Sequence, residues 1–111
     1  MNKFLSFLGI VRKSGKINMG LDPCIDSIKS RKAKLLILSG DLSENTASKV
    51  KRFANEANVP IIAVPFDMED IRAAAGKYAG VITVTDENLA GKLSVLYKEL
   101  QFGETEGGNA T

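Results

Sequence analysis

Apolar residues recur along the chain with a helical period in some stretches and with no alternation in others. Phe4, Leu5, Leu8 and Val11 fall at i, i+1, i+4 and i+7, one face of a helix. Gly15 follows where such a helix takes its terminal glycine. Asp22 and Pro23 predict the start of a second helix, an N-cap followed by proline at the first helical position. Cys24, Ile25 and Ile28 form its stripe, ending near Arg31. Lys34 to Leu38 has no alternation and reads as a strand covered on both faces. Ser43 caps a third helix in which Ala47, Val50, Ala54 and Ala57 repeat with Phe53 beside them, ended by Asn58. Pro60 to Val64 predicts a second buried strand, with proline tolerable at its first position. Asp67 opens a short helix through Ile71 and Ala75, closed by Gly76. Val81 to Val84 is a third inner strand, and Asp86 opens a last helix bearing Leu89, Leu93, Leu96 and Leu100. One further edge strand is expected around Ile17.

Helices alternating with covered strands predict an α/β fold, a three-layer α/β/α sandwich around a small mixed sheet of about four strands. Four strands are too few for a full dinucleotide-binding sheet. The 111 residues amount to one domain, expected over residues 1–102. Residues 103–111 are small, polar and acidic and are expected to form a disordered tail.

Composition narrows the chemistry. The chain has no histidine and one cysteine, Cys24. Zinc sites built from Cys and His, internal disulfides and His-dependent catalytic triads are thereby excluded. A lone cysteine suits a reducing cytosol, and a cytoplasmic location is expected. The apolar run Phe4–Val11 lacks a cleavage site and runs into Arg12-Lys13, so it is not read as a leader. No run approaches the ~20 apolar residues that span a bilayer, so no membrane partner is expected, and no metal or cofactor either. Charge is uneven. Residues 1–34 hold eight lysines and arginines against Asp22 and Asp26, a net +6, whereas the remainder is net negative. Such a basic first third suits a polyanion, or equally a set of solvated helix-surface lysines.

Most candidate sites fail on spacing. Gly9 to Lys16 is one residue too long for a phosphate loop and carries Ile17 where the magnesium-binding hydroxyl belongs. Asp67, Glu69 and Asp70 crowd one helix start and read as capping groups. Asp41 alone at a strand end reads as a turn residue. Cys24 reads as core. The basic cluster is different. Lys13 and Lys16 close the first helix, and Met19, Gly20, Leu21 and Asp22 open the second. A helix start offers free N–H groups and a positive dipole end to phosphate. Lys29 follows Asp22 by two turns on the same face. Val64, Pro65 and Phe66 form a turn at a strand's carboxyl end, where Phe66 either stacks on an unpaired base or packs beneath the following helix.

Gly15-Lys16, Gly20, Lys32-Ala33-Lys34-Leu35-Leu36-Ile37-Leu38, Asp41 with Ser43-Glu44-Asn45-Thr46, Val59-Pro60 and Ala74-Ala75-Gly76-Lys77 together resemble the ribosomal protein L7Ae superfamily of kink-turn RNA-binding proteins. Within it the chain is similar to the small bacterial YlxQ-like branch over roughly residues 3–100. The resemblance implies a non-catalytic α/β/α domain that binds structured RNA, with the kink-turn as its specific form, in association with the ribosome. It also implies Lys16 on backbone phosphate, Gly20-Leu21-Asp22 facing sheared G·A bases and Val64-Pro65 against a flipped-out nucleotide. Asp22, Pro23 and Asp26 stand where the family's kink-turn binders carry Asn, Glu and Lys, and Arg72 where a glycine is common. These departures motivate an alternative, a protein-interaction domain of the same fold that has lost its RNA site. An anion-binding enzyme subunit is a third reading, disfavoured by the absence of an activated nucleophile.

Overall fold

The computed structural model describes the backbone of residues 2–109 and the side chains of residues 2–101. Its elements are α1 (Lys3–Ser14), β1 (Ile17–Met19), α2 (Leu21–Lys29), β2 (Leu35–Leu38), α3 (Glu44–Glu56), β3 (Ile61–Ala63), α4 (Met68–Ala75), β4 (Val81–Val84) and α5 (Glu87–Asn109). The strands form one sheet in the order β1-β4-β2-β3. β4 runs antiparallel to both β1 and β2, and β2 runs parallel to β3.

Period-two geometry sends alternate side chains of each strand to opposite faces. Met19, Leu35, Ile37, Ile82 and Val84 meet Phe4, Leu8 and Val11 of α1, Ile71 of α4 and Leu93 of α5. Leu36, Leu38 and Val81 meet Cys24 and Ile28 of α2 and Val50 and Ala54 of α3. The result is the expected three layers, α1, α4 and α5 on one face and α2 and α3 on the other. Between α1 and α4 the approach is so close that a β-carbon on Gly9 would stand 2.6 Å from the Ala74 carbonyl oxygen.

Most helix ends follow the local chemistry. The Ser43 hydroxyl accepts from the Thr46 N–H. Asp67 and Asp70 bond each other's backbone N–H in a reciprocal capping box. Asp86 accepts from the Leu89 N–H at 2.9 Å. Gly15 and Gly76 end α1 and α4 in the left-handed conformation.

Two expectations need correction. The N-cap of α2 is Gly20, not Asp22. The chain must turn from β1 into α2 at φ 107°, ψ 155°, a conformation strained for side chains bearing a β-carbon. Asp22 and Pro23 therefore sit inside the first turn, where proline's missing N–H costs nothing because those donors have no helical partner. The strand expected over Pro60 to Val64 is not buried on both faces. β3 is the sheet edge, with Ile61 half-buried and Ala63 exposed. The tail expected over residues 103–111 lies outside the residues whose side chains are described.

Candidate functional site

β4 lies between β1 and β2, and its two ends differ in character. At its start, the Gly20 N–H donates to the Val81 carbonyl at 2.9 Å, and the Ser39 N–H donates to the Gly80 carbonyl at 3.0 Å. Next along the same sheet end, the Gly40 N–H donates to the Phe66 carbonyl at 2.7 Å. The turn from β1 into α2, the β2–α3 loop, the β3–α4 loop and the α4–β4 loop thus share one end of the molecule. This is where a sheet covered on both faces commonly builds a binding site.

The centre of this end is the mouth of α2. No side chain caps it. Leu21 and Asp22 therefore carry first-turn N–H groups without helical acceptors, backed by the positive end of the α2 dipole. Behind them lies Cys24, fully buried, its single S–H within reach of two acceptors, the carbonyls of Asn18 at 3.3 Å and Val81 at 3.4 Å. Burial pushes this thiol up to about 11, with the Lys77 charge among the smaller opposing pulls. A thiol held neutral in this way is a packing group rather than a nucleophile.

Of the ten residues singled out in the sequence, Gly20, Leu21 and Asp22 come together at the mouth. Pro65 is exposed farther along the same end. Met19 and Val64 are buried. The sulfur of Met19 accepts from the Arg12 guanidinium at 2.9 Å, and the Val64 N–H is bonded to the Leu38 carbonyl. Phe66 is half-buried and stacks on Phe4 of α1, ring centroids 5.9 Å apart, a packing contact made with α1.

The three lysines do not converge on the mouth. The Lys16 carbonyl accepts from the Thr85 N–H at 2.9 Å, at the far end of β4. The intervening strand separates Lys16 from Gly20 by roughly 13 Å at the usual rise per residue. Lys13, in the last turn of α1, goes with Lys16. Lys29, in the last turn of α2, lies with its ammonium 5.8 Å from the Phe53 ring centroid. The expected convergence fails because β1 runs the length of the sheet between the end of α1 and the start of α2.

Two residues at this end escaped the sequence reading. Lys77 is exposed in the α4–β4 loop, which shares this end of the sheet. Tyr78 follows it in the α4–β4 loop with 58% of its surface exposed. The available signal was an aromatic beside a lysine in a loop bounded by Gly76 and Gly80. The carboxylates at this end are partly engaged. Asp41 accepts from the Met68 N–H at 3.1 Å and the Ser39 hydroxyl at 2.9 Å, and Asp67 caps α4. Among the described residues no three His, Cys, Asp or Glu side chains gather into a metal-binding group, and no helix is long and apolar enough to cross a membrane.

Comparison with known proteins extends this geometry. The profile of the ribosomal protein L7Ae/L30e/S12e/Gadd45 family matches residues 2–94. The protein named RNA-binding protein YlxQ from Bacillus subtilis (strain 168) is 33% identical over 96 residues, covering 82% of this chain and 91% of that one. Its namesake from Enterococcus faecium is 31% identical over 94 residues, covering 85% and 90%. The large ribosomal subunit protein eL30 of Euphorbia esula is 32% identical over 73 residues, covering 66% and 65%. A solved structure described as a protein with unknown function from Bacillus halodurans C superposes with TM-score 0.83 at 26% identity, covering 89% of this chain and 100% of that one.

Proposed function

We infer from the family to which this chain belongs, the L7Ae/L30e/S12e/Gadd45 family of ribosomal proteins, that it is a non-catalytic RNA-binding protein working on ribosomal or other structured RNA. The observation that carries this reading is the uncapped α2 N-terminus at Gly20. Donors whose positions are fixed by the helix lose no conformational freedom when an acceptor docks. Gly20 admits close backbone approach, and the N–H groups of Leu21 and Asp22 serve base edges or phosphate. The Lys77 ammonium supplies a point charge, and the exposed ring of Tyr78 offers a stacking surface of the kind unpaired bases use. Pro65 adds an apolar contact along the same end.

The preferred RNA is a sharply bent helix, the kink-turn, bound more weakly than the family pattern provides. Pro23 has no side-chain hydrogen-bonding group, and Asp26 places a carboxylate, rather than an ammonium, near phosphate. Two lost polar contacts at about 1–3 kcal/mol each lower affinity by roughly 30-fold to more than 10,000-fold. A gel-shift titration against a kink-turn duplex and an unbent duplex of the same length, at two salt concentrations, tests both levels. Preference for the kink-turn, falling as salt rises, is the expected result. Equal affinity for the two duplexes removes the bent-helix part of the proposal, and binding to neither removes the whole of it.

A further inference from the structure

The geometry points to a second RNA-contacting surface, at the end of the sheet opposite the α2 mouth, that grips the phosphate backbone of a helix extending beyond the primary contact. There the last residues of β4 are flanked from both sides. The Thr85 N–H donates to the Lys16 carbonyl at 2.9 Å, and the Lys34 N–H donates to the Val84 carbonyl at 2.7 Å. Two strand spacings separate those lysine backbones by roughly 10 Å. Arg31 adds its charge from the turn after α2, held in the left-handed conformation at φ 65°. With Lys34 it lines an open cleft of about 490 Å³ that Glu87 also borders. Lys32 is exposed between them.

The arrangement is unneutralised. Lys16, Arg31, Lys32 and Lys34 are all exposed, and the only ion pair among the described residues is Arg72–Glu69, elsewhere. Of the acids near them, Asp86 is engaged in capping α5, while Glu87, which lines the cleft with Arg31 and Lys34, and Glu56, which lines a neighbouring one with Lys29 and Arg31, are exposed. Several cations spaced across two strands match a row of phosphates better than a single small anion, and lysines without partners keep the hydration and counterions that phosphate binding releases. A structural explanation exists for part of the cluster, since cations near helix C-termini complement the dipole. It covers Arg31 just past α2 and Lys16 just past α1, but not Lys34 at the start of β2. Lying about 13 Å from Gly20, this surface is reached only by an RNA that continues past the mouth.

The inference rests on the proposed RNA binding, and the test separates the two. Affinity is measured for a kink-turn duplex whose arm stops within one helical turn and for the same duplex with the arm extended by a further turn. The proteins are the wild type, the double variant Lys16→Glu/Lys34→Glu, its milder form Lys16→Gln/Lys34→Gln, and Gly20→Ala at the mouth. The expected result is a loss of roughly tenfold for the charge-reversed variant on the long RNA, with the salt slope reduced by about two. On the short RNA the change is less than about twofold, the glutamine variant is intermediate, and Gly20→Ala weakens both RNAs. Thermal melting accompanies each titration. Unchanged long-RNA affinity in the charge-reversed variant, with or without a lowered melting temperature, overturns the second surface while leaving the mouth intact. Equal losses on both RNAs overturn it as a separate surface. Absence of binding by the wild type to either RNA overturns this inference together with the proposed function.

Discussion

Replacing Gly20 by alanine probes the turn on which the α2 mouth depends. The residue sits at φ 107°, ψ 155°, outside the left-handed helical region that asparagine and aspartate tolerate. The steric part of the cost is small, because a β-carbon there would meet nothing closer than the Pro23 Cδ at 3.7 Å, an ordinary contact. The backbone part is then nearly the whole effect, about 1–3 kcal/mol. A domain of this size has roughly 5–15 kcal/mol of stability, so the variant stays folded at room temperature. Gly15→Asn is the internal control. Gly15 lies at φ 78°, ψ 9°, with nothing within 4 Å of an added β-carbon, and asparagine there costs under about 1 kcal/mol. Urea denaturation followed by circular dichroism gives both stabilities, and RNA titration of the folded proteins gives both affinities. Gly20→Ala is expected to lose stability and RNA affinity, Gly15→Asn little of either. A Gly20→Ala protein as stable as Gly15→Asn, with wild-type RNA affinity, refutes the claim that the turn is conformationally restricted and that it positions the RNA-facing donors.

Three further outcomes follow from the packing. Gly9→Ala sets a β-carbon against the Ala74 carbonyl and forces α1 from α4, lowering stability by about 1–3 kcal/mol in the same denaturation assay. Phe66→Leu removes the stack on Phe4 and costs about 1 kcal/mol while leaving RNA affinity within twofold; a large affinity loss without destabilisation would assign that ring to the RNA instead. The Cys24 thiol titrates near 11 in the folded chain against 9.0 when free of it, so the folded state holds the proton more tightly. The stabilisation this gives is complete below pH 9 and is lost as pH rises toward 11, up to about 2–3 kcal/mol. Compared with Cys24→Ala, the wild type should lose that much more stability over the interval, and alkylation of Cys24 should be slow until the protein unfolds.

The parts of this structure written in short-range chemistry were legible in the sequence. Asp67 and Asp70 cap α4 because their side chains reach N–H groups three residues away, and Ser43 does the same for α3. The stripes of α1 and α2 and the unbroken apolar run Leu35–Leu38 announced which faces are covered, hence the three layers. Asp22-Pro23 misled because it satisfies the local rule for a helix start, while the actual start is set by the backbone turn at Gly20. Lys13 and Lys16 misled for a different reason. Only five residues of sequence separate Lys16 from Asp22, but their distance in space is fixed by pairing β1 with β4, more than sixty residues away. The loop carrying Lys77 and Tyr78 reaches the same end of the sheet through the pairings of β4, which local periodicity does not encode. Phe66 was left open between two roles, and its stack on Phe4, more than sixty residues away, has no local sign in the sequence.

Docking of RNA on the start of α2 is read directly by titrating the isotopically labelled protein with a kink-turn duplex and following its backbone amide resonances. The largest shifts are expected at Gly20, Leu21 and Asp22, with Lys77 and Tyr78 moving alongside them. Shifts concentrated on the outer faces of α1 and α5, with Gly20 to Asp22 unmoved at saturation, would contradict it.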